Sequence, residues 1–304
     1  VVSGTIRRAW KPVLATLLAV AAVIAGNTVT EPVFTAAVTL ETTPAIPGIP
    51  LRIAYGTSPD MFGDLYLPTT GSAPYPVVVL IHGGGWSQNR TLDHVGPLAA
   101  SLAEAGVAVW NIEYRRVNGV GGWPMTLTDV DDAVRSLATV VNLRSGNRLD
   151  LQRVHLAGHS AGGQLAAWVA GRQSTETPPN AVRIRSVTLM AGVLDLVFAV
   201  NNGRDGYVRK LLGGRPDDVP DRYRMASPIA HLPVGVRISA LHGDRDTVVA
   251  PAQSRRYVAA AQRAGLSADL QILDGTGHGE FADANSPAWA AARKTILANV
   301  TELR

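Results

Sequence analysis

Three polar residues, each beside glycines where an apolar run ends, carry the chemistry legible in this chain. Gly158-His159-Ser160-Ala161-Gly162-Gly163 has the pattern G-x-S-x-G, preceded by the short apolar run Val154–Ala157 and followed by an alanine-rich segment. A strand that turns sharply into a helix leaves little room for side chains at 158 and 162. Glycine meets that demand, and the turn presents the Ser160 hydroxyl outward at the helix N-terminus. A hydroxyl attacks a carbonyl only when a base takes its proton. His278, flanked by Gly277 and Gly279 just past the last strand, Asp269–Leu273, is placed to be that base. The imidazole needs a carboxylate to fix its tautomer and stabilise its charged form. Asp246, in His242-Gly243-Asp244-Arg245-Asp246, is the favoured acid. Asp244 sits nearer the strand end and reads as a turn cap, and Asp274 lies too near His278 in sequence to orient it.

Attack by Ser160 builds an oxyanion, which needs donors. His82-Gly83-Gly84-Gly85-Trp86 follows a continuous aliphatic run, and glycines let backbone N–H groups approach a substrate with no Cβ in the way. Gly84 and Gly85 are the expected donors, with the N–H of Ala161 as the other. His159 is placed at the entrance, and Trp86 and Trp123 as walls of an acyl or alcohol pocket. Of the other histidines, His82 is expected to brace the glycine loop, His242 to be packed at a strand end, and His94, His155 and His231 to be structural. No pair has H-E-x-x-H spacing, so no metal is expected. The glycine loop lacks G-x-x-x-x-G-K and is not a phosphate loop.

These residues must be held by a scaffold, and the chain from residue 51 alternates strands and helices. Leu51–Tyr55 and Asp64–Leu67 read as an antiparallel pair. Pro76–Ile81 and Val107–Ile112 read as strands buried on both faces, and Val154–Ala157, Ser186–Ala191, Arg237–Leu241 and Asp269–Leu273 read as further strands. Leu98–Ala105, Thr126–Val141, Ala161–Ala170, Ala252–Ala264 and Pro287–Val300 read as helices. The alternation implies an α/β fold with a mostly parallel sheet and helices on both faces. Asn201–Pro233 is the longest irregular stretch, either a small lid over the site or a surface excursion.

Composition narrows the class. Apolar residues make up 46% of the 304 and charged residues 17%, which excludes a disordered chain. With no cysteine there is no disulfide and no thiol nucleophile. The net charge of +4 comes from scattered arginines, with no basic patch of the kind nucleic acid requires. Arg7, Arg8 and Lys11 precede the apolar run Val13–Ala25, too short to span a bilayer. That layout predicts a secretory signal over residues 1–37, cleaved after Ala25 or Ala37, with an uncleaved membrane anchor as the alternative. A secreted or cell-envelope location follows. Residues 38–50, with the proline-rich Thr42–Pro50, read as a linker, and residues 51–304 as one catalytic domain.

From about residue 50 to 300 the chain resembles the α/β-hydrolases of the HGGG esterase/lipase group, nearest the acetyl-esterase and kynurenine-formamidase-like branch. The resemblance rests on His82–Trp86, Gly158–Gly163, His242–Asp246 and Gly277-His278, in the order serine, acid, histidine. Glu113-Tyr114-Arg115, Trp123-Pro124 with Asp129, and Ser227-Pro228-Ile229 match more weakly. It implies an eight-stranded, mostly parallel sheet and hydrolysis of small esters through an acyl-enzyme, without metal or organic cofactor. His159 replaces the acid that lipases with a helical N-terminal cap carry before the serine, which points toward cap-poor hydrolases of short-acyl or aryl esters. An amide or formamide substrate, or a small peptide, on the same triad is the alternative, and an inactive binding protein would be expected to lack a triad member.

Overall fold

A computed structural model describes residues 46–172, 181–202 and 206–303. The expected signal segment lies outside the described residues, as does most of the linker. Eight strands form one sheet: β1 (Leu51–Ala54), β2 (Phe62–Tyr66), β3 (Tyr75–Ile81), β4 (Ala108–Ile112), β5 (Leu149–His159), β6 (Ile184–Met190), β7 (Arg237–Gly243) and β8 (Ala268–Leu273). Their order is β1-β2-β4-β3-β5-β6-β7-β8. β2 runs antiparallel to both β1 and β4, and all the remaining pairings are parallel. The mostly parallel eight-stranded sheet expected of the chain is therefore present.

The nine helices among the described residues are α1 (Gly96–Ala103), α2 (Met125–Arg135), α3 (Val140–Arg144), α4 (Ala161–Ala170), α5 (Leu196–Asn202), α6 (Gly206–Leu212), α7 (Pro220–Ala226), α8 (Ala252–Arg263) and α9 (Pro287–Glu302). The pleat of β3 shows why its run is uninterrupted. Val77, Val79 and Ile81 enter a core shared with α2, α4 and α8. Val78 and Leu80 enter the opposite core, shared with α1 and α9. Strands covered on both faces need apolar residues at every position, and each such side chain contributes roughly 1.5–3 kcal/mol by leaving water.

Three elements differ from the sequence reading. The helix expected over Thr126–Val141 breaks: α2 ends at Arg135, a 3₁₀ turn spans Ser136–Ala138, and Thr139 leaves helical geometry at φ −128°, ψ −106° before α3. The Ser136 hydroxyl donates to the Ala133 carbonyl at 2.7 Å and that of Thr139 to the Ser136 carbonyl at 3.2 Å, drawing backbone acceptors away from the helical pattern. Leu137 and Val141 stay fully buried across the break, so the apolar period outlasts the helix. β5 is eleven residues long rather than four, because its polar first half lies at the sheet end. The stretch read as irregular over Asn201–Pro233 contains the end of α5, then α6 and α7, each helix seven residues long.

Candidate active site

Ser160 sits where β5 turns into α4, with φ 57° and ψ −118°. A non-glycine residue in that region is strained by roughly 1–3 kcal/mol. The turn is closed by backbone contact. A Cβ at Gly158 would stand 2.2 Å from the Gly162 carbonyl oxygen, and one at Gly162 only 2.1 Å from that of Ile81. No side chain fits at either position, so both glycines hold the serine at the carboxyl end of β5. The Ser160 N–H donates to the Met190 carbonyl at 2.9 Å, tying the turn to β6.

The loop after β8 brings His278 over this turn. Its Nε2 lies 2.9 Å from Ser160 Oγ, and its Nδ1 lies 2.7 Å from Asp246 Oδ2. Asp246 Oδ1 accepts the N–H groups of Val248 and Val249, both at 2.8 Å. Burial pushes the Asp246 carboxyl up. Hydrogen bonds from His242 and His278, the His278 charge and the Val249 N–H overcome this and hold it well below the usual carboxylate range. An ionised Asp246 only accepts, so the proton of His278 resides on Nδ1, and Nε2 is free to receive the serine proton. Asp244 and Asp274 are exposed and take no part.

His242 is packed, as its position at a strand end suggested, but it also faces the acid. Its Nε2 lies 3.2 Å from Asp246 Oδ2 and 2.9 Å from the Val249 carbonyl, and its Nδ1 accepts from Ser254 at 2.8 Å. This contact depends on the return of the loop through Val249, which residue spacing does not show.

The glycine loop follows β3. His82 is fully buried, with ring nitrogens 2.9 Å from Glu113 Oε1 and 2.8 Å from the Gly83 carbonyl. Tyr114 stacks on its ring at 4.4 Å and donates its hydroxyl to the His82 carbonyl at 2.9 Å. Glu113 further accepts the N–H groups of Leu92 and Tyr114 and pairs with Arg116 at 3.0 Å. Glu113 and Tyr114, just past the end of β4, thus brace the loop, a role that residue type and spacing did not give them. The N–H groups of Gly84 and Gly85 donate to no described residue. Both glycines line, with Ser160 and Ala161, a cavity of about 500 Å³.

Trp86 lines the cavity with little of its surface: it is 1% exposed, and its indole donates to Gln164 Oε1 at 3.0 Å, locking the loop to α4. Trp123 packs against the core and does not line the cavity. The apolar surface of the cavity comes instead from Phe198 and Ala199 of α5, Val208 of α6, and Val193 and Val249. The stretch read as a lid or a surface excursion therefore builds part of the cavity. His94, expected to be structural, is exposed and lines the same cavity.

His159 lies at the cavity, largely buried, with Nε2 2.9 Å from the His278 carbonyl. A carbonyl only accepts, so His159 donates and steadies the backbone of the base. Burial, then the charge of His278, pushes its pKa down to about 3. His155, buried in the sheet against Ser186, is pushed down to about 4 by burial, with Arg185 and Arg153 adding to it. Both rings stay neutral in the folded chain at pH values where the unfolded chain protonates them. Unfolding therefore takes up protons below about pH 6.5, and stability falls as the pH falls, by about 1.4 kcal/mol per pH unit for each ring, continuing to about pH 4. Urea unfolding between about pH 7 and about pH 5 checks this, and His155→Asn should halve the slope. A stability that rises on acidification over that window would contradict it.

Among the described residues no cluster of His, Asp and Glu could hold a metal ion, and no helix is long and apolar enough to cross a membrane.

The profile of the BD-FAE family matches residues 63–260. A kynurenine formamidase of Danio rerio is 26% identical over 232 residues, 75% of this chain and 74% of its own. A probable isoprenylcysteine alpha-carbonyl methylesterase of Oryza sativa subsp. japonica is 28% identical over 247 residues, 74% of this chain and 56% of its own. The chain spans about half the length of several other curated relatives it matches. A truncated carbohydrate esterase from gut microbiota superposes with a TM-score of 0.72 at 22% identity, over 85% of this chain and 99% of that one. The fold is that of the α/β-hydrolases.

Proposed function

Because the chain belongs to the BD-FAE family, we propose that it is a serine carboxylester hydrolase acting on small esters, short-acyl or aryl, through an acyl-enzyme. The observation that carries this reading is the hydrogen-bonded chain Ser160–His278–Asp246 at a cavity onto which Gly84 and Gly85 present free N–H groups. His278 Nε2 takes the Ser160 proton as Oγ attacks the ester carbonyl. The oxyanion lies on the N–H groups of Gly84, Gly85 and Ala161, each worth roughly 3–4 kcal/mol of barrier. His278 then protonates the leaving alcohol, and the C–O bond breaks. Water, deprotonated by the same nitrogen, attacks the acyl-serine and releases the acid. Asp246 stays ionised throughout.

A cavity of about 500 Å³ suits a small substrate. A p-nitrophenyl ester series from acetate to palmitate tests this on the purified chain, with Ser160→Ala as the control. Turnover is expected to peak at short acyl chains and to vanish in the variant. A peak at long chains would contradict the small-ester reading, and Ser160-independent turnover the mechanism. The similarity to a kynurenine formamidase supports one alternative, a formamide or other amide cleaved by the same triad. Faster cleavage of an aryl formamide than of the matched ester would favour it.

Export belongs to the same reading and is supported by Arg7, Arg8 and Lys11 ahead of Val13–Ala25. Sequencing the N-terminus of the protein recovered outside the cytoplasmic membrane tests it. A start after Ala25 or Ala37 supports cleavage, and an intact N-terminus in the membrane fraction supports the anchor.

A further inference from the structure

Among the described residues the Ser160 cavity is lined by two permanent cations, Arg90 and Lys210, and by no aspartate or glutamate. Other arginines are neutralised, Arg115 by Asp129, Arg116 by Glu113 and Arg256 by Asp195. Arg90 and Lys210 make no ion pair among the described residues. Arg90 is held against the glycine loop, and Lys210 stands on the helix whose Tyr207 covers it. A Cβ at Gly84 would stand 2.4 Å from Arg90 Cγ, so the Arg90 stem lies directly on that glycine. A Cβ at Gly85 would stand 2.5 Å from Tyr207 Cδ1. Tyr207 and Lys210 are three apart on α6, hence on one face of it. Both cations therefore border the cavity that Gly84, Gly85 and Ser160 line. His94 lines the same cavity, and its pKa is lowered by partial burial and then by the Arg90 charge.

We propose that this cavity selects esters that carry a carboxylate elsewhere in the molecule, with Arg90 and Lys210 receiving that group. The inference rests on the ester-hydrolase reading above. Two like charges in one cleft repel each other and focus a positive field that an anionic substrate relieves. Arg90 offers a planar fork suited to two hydrogen bonds from one carboxylate, and Lys210 a mobile point charge. A neutral ester of the same shape gains neither contact.

The test compares matched esters with and without the charge. Para-acetoxybenzoate against para-acetoxybenzamide places the carboxylate on the alcohol side, and ethyl hydrogen adipate against ethyl hexanoate places it on the acyl side. At low salt, at least one anionic ester is expected to show about tenfold higher kcat/KM than its neutral partner, carried by KM. Arg90→Gln, which keeps the stem over Gly84, and Lys210→Gln should each shrink that ratio, while Lys210→Arg retains it. About 1 M sodium chloride, with a Debye length of about 3 Å, should compress it too. Calorimetric binding of the same pairs to Ser160→Ala reads the preference without turnover, which separates failure of this inference from failure of the hydrolase reading. A ratio at or below one on both sides, in turnover and in binding, would overturn the inference. So would a ratio indifferent to both substitutions.

Discussion

Ser160→Ala is expected to lower kcat for a p-nitrophenyl ester by about 10⁶-fold while the protein stays folded. The size of the loss follows from what the hydroxyl does. Without Oγ no acyl-enzyme forms, and the remaining groups can offer a water molecule only the oxyanion site and positioning. Losing the base alone costs about as much as losing the nucleophile, since each is inert without the other. The His278 ring would keep its Asp246 bond at 2.7 Å and its backbone bond from His159 at 2.9 Å. Alanine at 160 occupies the same positive φ and retains the N–H bond to Met190. The unfolding midpoint should therefore lie close to that of the parent. Steady-state rates with circular dichroism on the same preparation check both halves. A variant that keeps more than about a hundredth of the parent rate would place the nucleophile elsewhere.

Asp246→Asn should cost about 10⁴ in kcat with little change in KM. Oδ1 accepts two backbone N–H groups, from Val248 and Val249. An asparagine must keep its oxygen there, so its amide NH₂ takes the place of Oδ2. That group donates, and it would face the Nδ1–H of His278 and the Nε2–H of His242. His278 can answer only by moving its proton to Nε2, the atom that must receive the serine proton. The loss is therefore one of tautomer more than of charge. Asp244→Asn, at an exposed position outside the network, should change kcat by no more than about twofold. Loss of activity in the Asp244 variant, with Asp246→Asn near parental, would reverse the assignment of the acid.

Local demands were legible in the sequence and distant contacts were not. Gly158 and Gly162 mark the serine turn because a Cβ there meets backbone at 2.2 and 2.1 Å, a constraint confined to a few residues. The strands around the site announced themselves through residues such as Val77 to Ile81, apolar at every position because two cores bury them. Glu113 and His242 showed no such sign. One braces the glycine loop from just past the end of a neighbouring strand, and the other meets the acid only because the chain folds back through Val249. The helices α5 and α6 were missed for a different reason. Seven residues give barely two turns, too few for an apolar period to emerge. Trp123 was misplaced because an aromatic near the site can face the cavity or the core, and only the folded chain packs it against the core.

A fluorophosphonate probe followed by peptide mass mapping tests the central claim most directly, because it traps the attack of Ser160 on an electrophile without assuming a substrate. One adduct per chain is expected, on the peptide that contains Ser160, with ester hydrolysis lost in proportion to labelling and no adduct in Ser160→Ala. A folded protein that takes no label, or that takes it at another residue while ester turnover persists, would contradict the account.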